Sequence, residues 1–246
     1  ETIGNPVFLS TSEFTFSPRL YENTKNLYQG EYRHVTKNSE HILDMSIKND
    51  SPFILKSNSS NTHLFYESSI NTKFDLFEYS KFDIKLQTVS DEKYLKSYNL
   101  KSPIIGSQSS LNSTFNFSGY NNDLEFSISS EVYEDLTKVN ESDRYEYIFP
   151  NFDATKELKS NLNGLLELNF IGYNKLYDTN VSEKILVNNL TYKSLNKMSG
   201  LGLISNYEFN IKNFNADSKN SKKYKNTSEN NIQGIFQFNS KIPMKK

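Results

Sequence analysis

YSKFDIKLQTVSDEKYLKSYNL, residues 79–100, holds two kinds of sequence side by side. Over residues 79–87 apolar and polar side chains alternate, with Phe82, Ile84 and Leu86 opposite Lys81, Asp83, Lys85 and Gln87. Side chains alternate across a β-strand, so this segment is a ribbon with one oily and one wet face. From residue 88 the alternation stops. TVSDEKYLKSYNL is charged, carries tyrosines, and reads neither as a tight hairpin turn nor as a core helix with an apolar stripe. An amphipathic strand that runs into a long polar connection is the unit to look for elsewhere.

It recurs. In residues 13–21 Phe14, Phe16, Pro18 and Leu20 oppose Glu13, Thr15, Ser17 and Arg19; in 124–133 Leu124, Phe126, Ile128 and Val132 oppose Glu125, Ser127, Ser129 and Glu131. The same alternation marks 111–119, 165–173, 234–241 and 201–211, the last with Leu201, Leu203, Tyr207, Phe209 and Ile211 on its oily face. Helical periodicity is hardly seen. Short polar breaks fall near 22–26, 37–40, 121–123 and 160–163, and longer ones at 49–61, 90–103, 137–147 and 213–230. Counted along the chain, each long break follows a strand of the same direction, two strands on from the last. A meander with long loops on one rim and short turns on the other is the pattern of an outer-membrane-type barrel.

Composition narrows the alternatives. The chain has 246 residues, 35% hydrophobic and 23% charged, with a net charge of −1, so a core is possible but thin and no basic stripe favours nucleic acid. Its 16 Tyr and 18 Phe argue against disorder, and with no Cys there is neither a disulfide framework nor a thiolate metal site. No stretch approaches the ~18 to 20 apolar residues of a membrane helix, whereas a membrane strand needs only ~9 to 11. The sequence opens on Glu1 with no signal-like segment and stops at IPMKK, and is read as a fragment of something longer.

Alternation alone fits a soluble sandwich as well as a membrane barrel. Tyrosines at expected strand ends (Tyr21, Tyr28, Tyr79, Tyr133, Tyr173, Tyr177) and strands of about ten residues, longer than the usual ~5 to 6, favour the barrel. The expected fold is all-β: an antiparallel up-and-down transmembrane β-barrel, present as a fragment of about a dozen strands.

Residues 62–100, THLFYESSINTKFDLFEYSKFDIKLQTVSDEKYLKSYNL, resemble the LPS-assembly outer-membrane protein family LptD (OstA/Imp). The SDxxYL core, Ser90, Asp91, Tyr94 and Leu95, is the most specific part. Residues 14–34, FTFSPRLYENTKNLYQGEYRH, are similar to the family's hairpin through Pro18, Arg19, Tyr21, Glu31, Tyr32 and Arg33. Residues 145–158, YEYIFPNFDATKEL, resemble a pair of strands interrupted by an LPxxDY turn, with Ala154 or Thr155 standing where the family often has Tyr; FQFNSKIPMKK resembles the closing strand of the region.

The resemblance implies that residues 1–246 are a partial barrel, lacking the N-terminal periplasmic jellyroll, the first barrel strand and the C-terminal half. It implies lipopolysaccharide assembly and translocation in the outer membrane of a Gram-negative bacterium. It implies as partners lipopolysaccharide, outer-membrane lipid, an LptE-like lipoprotein plug and, through the missing domain, an LptA-like periplasmic bridge. No enzyme chemistry and no cofactor are called for. A passive porin or autotransporter-type barrel stays open as an alternative, and further off a secreted β-sandwich binding module.

Other residues carry weaker signals. His34, His41 and His63 lack zinc spacing and read as solvated strand-end or lumen residues. Glu31, Asp44, Asp83, Glu125 and Glu167 lie on polar faces, where carboxylates of a wet wall are expected rather than a glycosidase pair. No GxSxG elbow accompanies the many serines. Asp91 with Lys93 and Lys96 reads either as a rim site for cations or phosphates, or as a loop that Ser90 and Asp91 cap while Tyr94, Leu95 and Tyr98 pack it down. Residues 189–191 match a glycosylation pattern by chance, and lysines at 219–225 read as a solvated charge run with anionic sugars as the alternative.

Overall fold

The computed structural model describes residues 10–49, 61–200 and 202–243. The connection expected at 49–61 therefore falls largely outside the described residues, as do residues 1–9, Leu201 and 244–246. The alternating stretches lie in strands except at Leu20, Tyr21 and Leu203, which fall outside them: β1 (Thr11–Arg19), β2 (Asn26–Val35), β3 (Ser39–Asn49), β4 (Asn61–Thr72), β5 (Tyr79–Val89), β6 (Ser110–Tyr120) and β7 (Leu124–Asp135). There follow β8 (Tyr145–Leu158), β9 (Gly164–Tyr177), β10 (Val181–Ser194), the short β11 (Lys197–Met198), β12 (Ile204–Lys219) and β13 (Glu229–Lys241). Two one-turn helices, α1 (Tyr94–Ser97) and α2 (Glu141–Arg144), lie in the connections.

Among the described residues the strands form an antiparallel sheet of 13 strands in chain order from β1 to β10, after which β12 follows, with β11 and β13 both on β12. β1 and β13 each have a single hydrogen-bonded neighbour, and both are exposed along nearly their whole length. The strands described thus leave two open edges.

Local chemistry sets the hairpins. At 36–38 the Thr36 hydroxyl oxygen accepts from the backbone nitrogens of Asn38 and Ser39 at 3.2 and 2.9 Å; at 121–123 the Asn121 side-chain oxygen accepts from Asp123 and Leu124 at 3.0 and 2.9 Å. Both are side-chain mimics of a backbone turn. At 178–180, Asp178 and Asn180 hold φ of 45° and 62°, the left-handed region these residue types tolerate best after glycine.

That turn corrects one expectation: the connection after β9 is short, so the long loops do not recur at every second strand. Two further expectations change. The break at 213–230 shrinks to 220–228, because residues 213–219 continue β12 and pair with β10, as far as 216 also with β13; with only Phe214 and Ala216 apolar among those residues, the alternation was too weak to reveal them. The turn expected inside 145–158 is absent. β8 runs unbroken there, with Asp153 and Thr155 both accepting from Asn169 of β9 at 3.1 and 2.8 Å.

The described residues fall into two compact units: those within Glu1–Phe74, Tyr79–Phe117 and Ser130–Tyr147, and those within Asp75–Glu78, Ser118–Ser129 and Ile148–Lys246. A buried apolar cluster belongs to the first. It joins Leu27 and Phe65 of the strands to Tyr94, Leu95, Leu100 and Ile104 of the loop that follows β5.

Candidate functional site

Register assigns every side chain of β1–β5 to a face. Phe14, Tyr32, Leu43 and Tyr66 form one cross-strand row; Thr15, Glu31, Asp44, Phe65 and Gln87 form a row on the opposite face. The oily face is the exposed one, with Phe14 68%, Leu64 47% and Leu86 54% accessible. The polar face is the covered one: Gln29, Asp44, Ser46 and His63 are buried. A protein folded for water does the reverse, and a wall with lipid outside and polar groups inside has this distribution.

The cover on the polar face is the loop that follows β5. Ser90 Oγ accepts from the Thr62 backbone nitrogen at 2.7 Å, fastening the start of the loop to β4. Asp91 accepts from the Lys93 nitrogen at 2.9 Å through its side chain and from the Tyr94 nitrogen at 3.1 Å through its carbonyl, which begins α1. The helix's own N-cap, Lys93, supplies no side-chain bond. α1 ends as Asn99 turns to φ 43° and the Leu100 nitrogen reaches back to the Leu95 carbonyl at 3.1 Å. Tyr94 and Leu95 then point onto the strands, fully buried. Burying a side chain such as Leu95 contributes about 2 kcal/mol.

Beneath Tyr94 runs a chain of polar groups drawn from three strands. The Tyr94 hydroxyl is 2.8 Å from Ser46 Oγ, which is 2.5 Å from His63 Nδ1; His63 Nε2 stands 3.3 Å from Asp44 Oδ1. Ser46 Oγ thus lies between the Tyr94 phenol and the His63 ring, with the Asp44 carboxylate on the far side of that ring. Asp44 also accepts from Gln29 at 3.1 Å, and the same Gln29 nitrogen donates to the Lys101 carbonyl at 3.0 Å. Burial pushes the Tyr94 phenol up to about 12, the bond to Ser46 opposing it more weakly. Serine, histidine and aspartate stand here in the order of a nucleophilic triad. Ser46 Oγ is already bonded to Tyr94 and roofed by the loop, so the arrangement anchors rather than attacks.

The two sequence stretches singled out at the start meet here. Arg19, at the end of β1, donates to the Tyr98 carbonyl at 2.7 Å, and Lys48 donates to the Tyr98 hydroxyl at 2.5 Å while lying 4.5 Å from its ring centre. Pro18 pairs with Tyr28 at the β1 edge, and the Tyr21 backbone nitrogen donates to Asn26 at 3.0 Å in the turn beyond. Glu31 and Arg33 pair at 2.6 Å lower on the polar face, where Glu67–Lys85 and Lys81–Asp83 pair at 2.7 and 2.8 Å. Tyr32 stands apart, on the oily face. From the next long connection, Arg144 reaches Glu92 of the loop and stands 3.7 Å from Glu134 of β7.

Several expectations need correcting. His63 is buried in the anchoring network rather than solvated. His34 and His41 are on the oily face, in a stack Tyr32–His34–His41–Tyr66 with ring centres 6.3, 6.1 and 6.3 Å apart beside the 36–38 turn. That stack is the belt of amphipathic rings in the first unit. Of the tyrosines expected to form one, Tyr28 shares this face, whereas Tyr79, Tyr133 and Tyr177 turn to polar partners: Asn71 at 2.7 Å, Glu131 at 2.7 Å and Glu183 at 2.8 Å. Tyr173 also lies on the polar face, 3.4 Å from the Tyr224 hydroxyl. Gln29, Ser46 and Lys48 escaped the sequence reading, because scattered polar residues declare a common site only once register sets Gln29 opposite Ser46 and Ser46 opposite His63.

Fold and faces together define a class: an all-β antiparallel meander that, in its first unit, exposes an apolar face and covers a polar face with a loop, as strands of outer-membrane proteins do. Residues 64–246 match the family LptD, LPS transport system D, and the chain belongs to it. The family comprises lipopolysaccharide transport and assembly proteins of the Gram-negative outer membrane. The SDxxYL stretch lies inside the matched residues and the 14–34 hairpin before them. Among curated proteins, none matches the chain.

Proposed function

We propose that these strands form part of the wall of an outer-membrane lipopolysaccharide translocon, a barrel completed by further strands at the open edges of β1 and β13. The observation that carries the reading is the inverted distribution of side chains: exposed Phe14, Leu64 and Leu86 against buried Gln29, Asp44, Ser46 and His63. Acyl chains need an apolar surface to leave along, and sugars and phosphates need a hydrated wall lined by hydrogen-bonding groups. The loop after β5 closes the outer end of that wall, with Ser90, Asp91, Tyr94 and Leu95 holding it shut and Arg19 tying the first hairpin to it. In this reading an LptE-like lipoprotein occupies the lumen and an LptA-like bridge delivers substrate from the periplasmic side. Transport requires no covalent chemistry from the chain.

The test is depletion of the full-length protein in its own cells, with arrival of lipopolysaccharide in the outer leaflet followed by a surface-acting lipid A-modifying enzyme. Arrival falls on depletion and recovers on re-expression. Unchanged arrival would overturn the proposal.

A further inference from the structure

The connection 220–228 carries lysines at 222, 223 and 225, and Lys219 precedes it at the end of β12. Its backbone is held in place. Tyr224 packs its ring 6.1 Å from that of Phe214 and sets its hydroxyl 3.4 Å from that of Tyr173. Ser221 donates to the buried carboxylate of Glu183 at 2.6 Å and accepts from the backbone nitrogens of Lys223 and Tyr224 at 3.0 and 3.2 Å. The buried Ser218 donates to the Lys225 carbonyl at 2.7 Å, and Asn220 donates to the Asn180 carbonyl at 3.0 Å.

All four lysines stay exposed on this frame. Lys225 pairs with Glu229 at 2.8 Å, and Lys223 stands 5.0 Å from the Tyr224 ring centre. Nearby acid is occupied elsewhere: Glu183 takes two hydroxyl bonds, from Ser221 and Tyr177, and Asp217 takes one from Ser228 at 3.2 Å. Lys219 and Lys222 form no ion pair among the described residues. A frame built before the ligand arrives spares the entropy of ordering the loop. Ammonium groups presented this way suit phosphate as point charges.

We propose that the 220–228 loop, with Lys219, is a docking site for the phosphorylated sugar headgroup of lipopolysaccharide. The inference rests on the transport reading above and adds the place where the anionic headgroup is met. Long loops of such proteins face the cell exterior, where the headgroups lie.

The test places a photo-cross-linking residue at Asn226 in the full-length protein in its membrane, with a second at Asn189 on the polar face of β10. Wild type cross-links lipopolysaccharide at both. The triple change Lys219→Gln, Lys222→Gln and Lys223→Gln lowers cross-linking at 226 by on the order of a hundredfold, each lysine near an anionic surface contributing roughly fivefold. The matching triple arginine variant restores it, and the signal at 189 is unchanged throughout. Cross-linking at 189 with none at 226 would overturn the docking site and leave transport standing; silence at both would overturn both. Equal yield at 226 from the triple glutamine variant, or from dephosphorylated lipopolysaccharide, would overturn the phosphate contact.

Discussion

Tyr94 and Ser46 lie 48 residues apart in sequence, yet their hydroxyls are 2.8 Å from each other. The bond ties a loop to a strand and completes a polar chain that continues through His63 to Asp44. Tyr94→Phe keeps the ring and removes the hydroxyl, so it destabilises by about 1 kcal/mol, while Tyr94→Ala costs about 3 to 5 kcal/mol by emptying a buried site. Thermal unfolding of the full-length protein in detergent measures the difference. Equal losses for the two variants would show that the hydroxyl, not the ring, carries the anchor.

The same phenol makes stability depend on alkaline pH. Its folded value, about 12, lies above the ordinary value of 10, so the neutral form is favoured by folding. Its contribution is complete below about pH 10 and is lost as pH rises toward about 12, at most about 3 kcal/mol across that window. Followed from pH 9 upward, the advantage of wild type over Tyr94→Phe should shrink and then reverse as the anchor ionises. Parallel curves would contradict the burial of the phenol.

Loss of the whole anchor should be felt by the cell. Tyr94→Ala combined with Leu95→Ala impairs barrel maturation and outer-membrane integrity more than neutralising the lysines of 219–225, as read by heat-modifiable migration and antibiotic entry. The former empties a buried core, whereas the latter alters an exposed surface. Equal tolerance of both changes would count against the loop as a structural cap.

In the second unit, a Cβ added to Gly119 would come 2.7 Å from Phe77 Cγ, at the root of the ring, where the side chain cannot swing away. Gly119→Ala therefore destabilises by about 1 to 3 kcal/mol through overpacking. Phe77→Ala in the same chain, which removes Cγ and the ring, should recover part of the loss. A double-mutant cycle measures the coupling, and zero coupling would mean that the strain is relieved elsewhere.

Lipid contact along β7 distinguishes the faces directly. Single-cysteine variants in this cysteine-free chain, spin-labelled in the full-length protein in bilayers, should show lipid at Phe126 and Ile128 and water at Ser127 and Ser129. Both faces closed to lipid would contradict the membrane reading.

The strands and their two faces were legible in the sequence because Cβ direction alternates residue by residue, a local property that 79–87 displays without reference to any neighbour. Asn121 and Asp91 announced a turn and a loop start for the same reason: their side chains bond to backbone two or three residues away. Whether the loop after Val89 would stand in water or fold over the polar face was decided by tertiary structure. So were the inward turn of Tyr79, Tyr133, Tyr173 and Tyr177, and the union of Gln29, Asp44, Ser46 and His63 under Tyr94. Those outcomes depend on cross-strand register and on bonds between residues tens of positions apart. A single chain's periodicity carries each strand's own phase and no information on how one strand's phase aligns with the next.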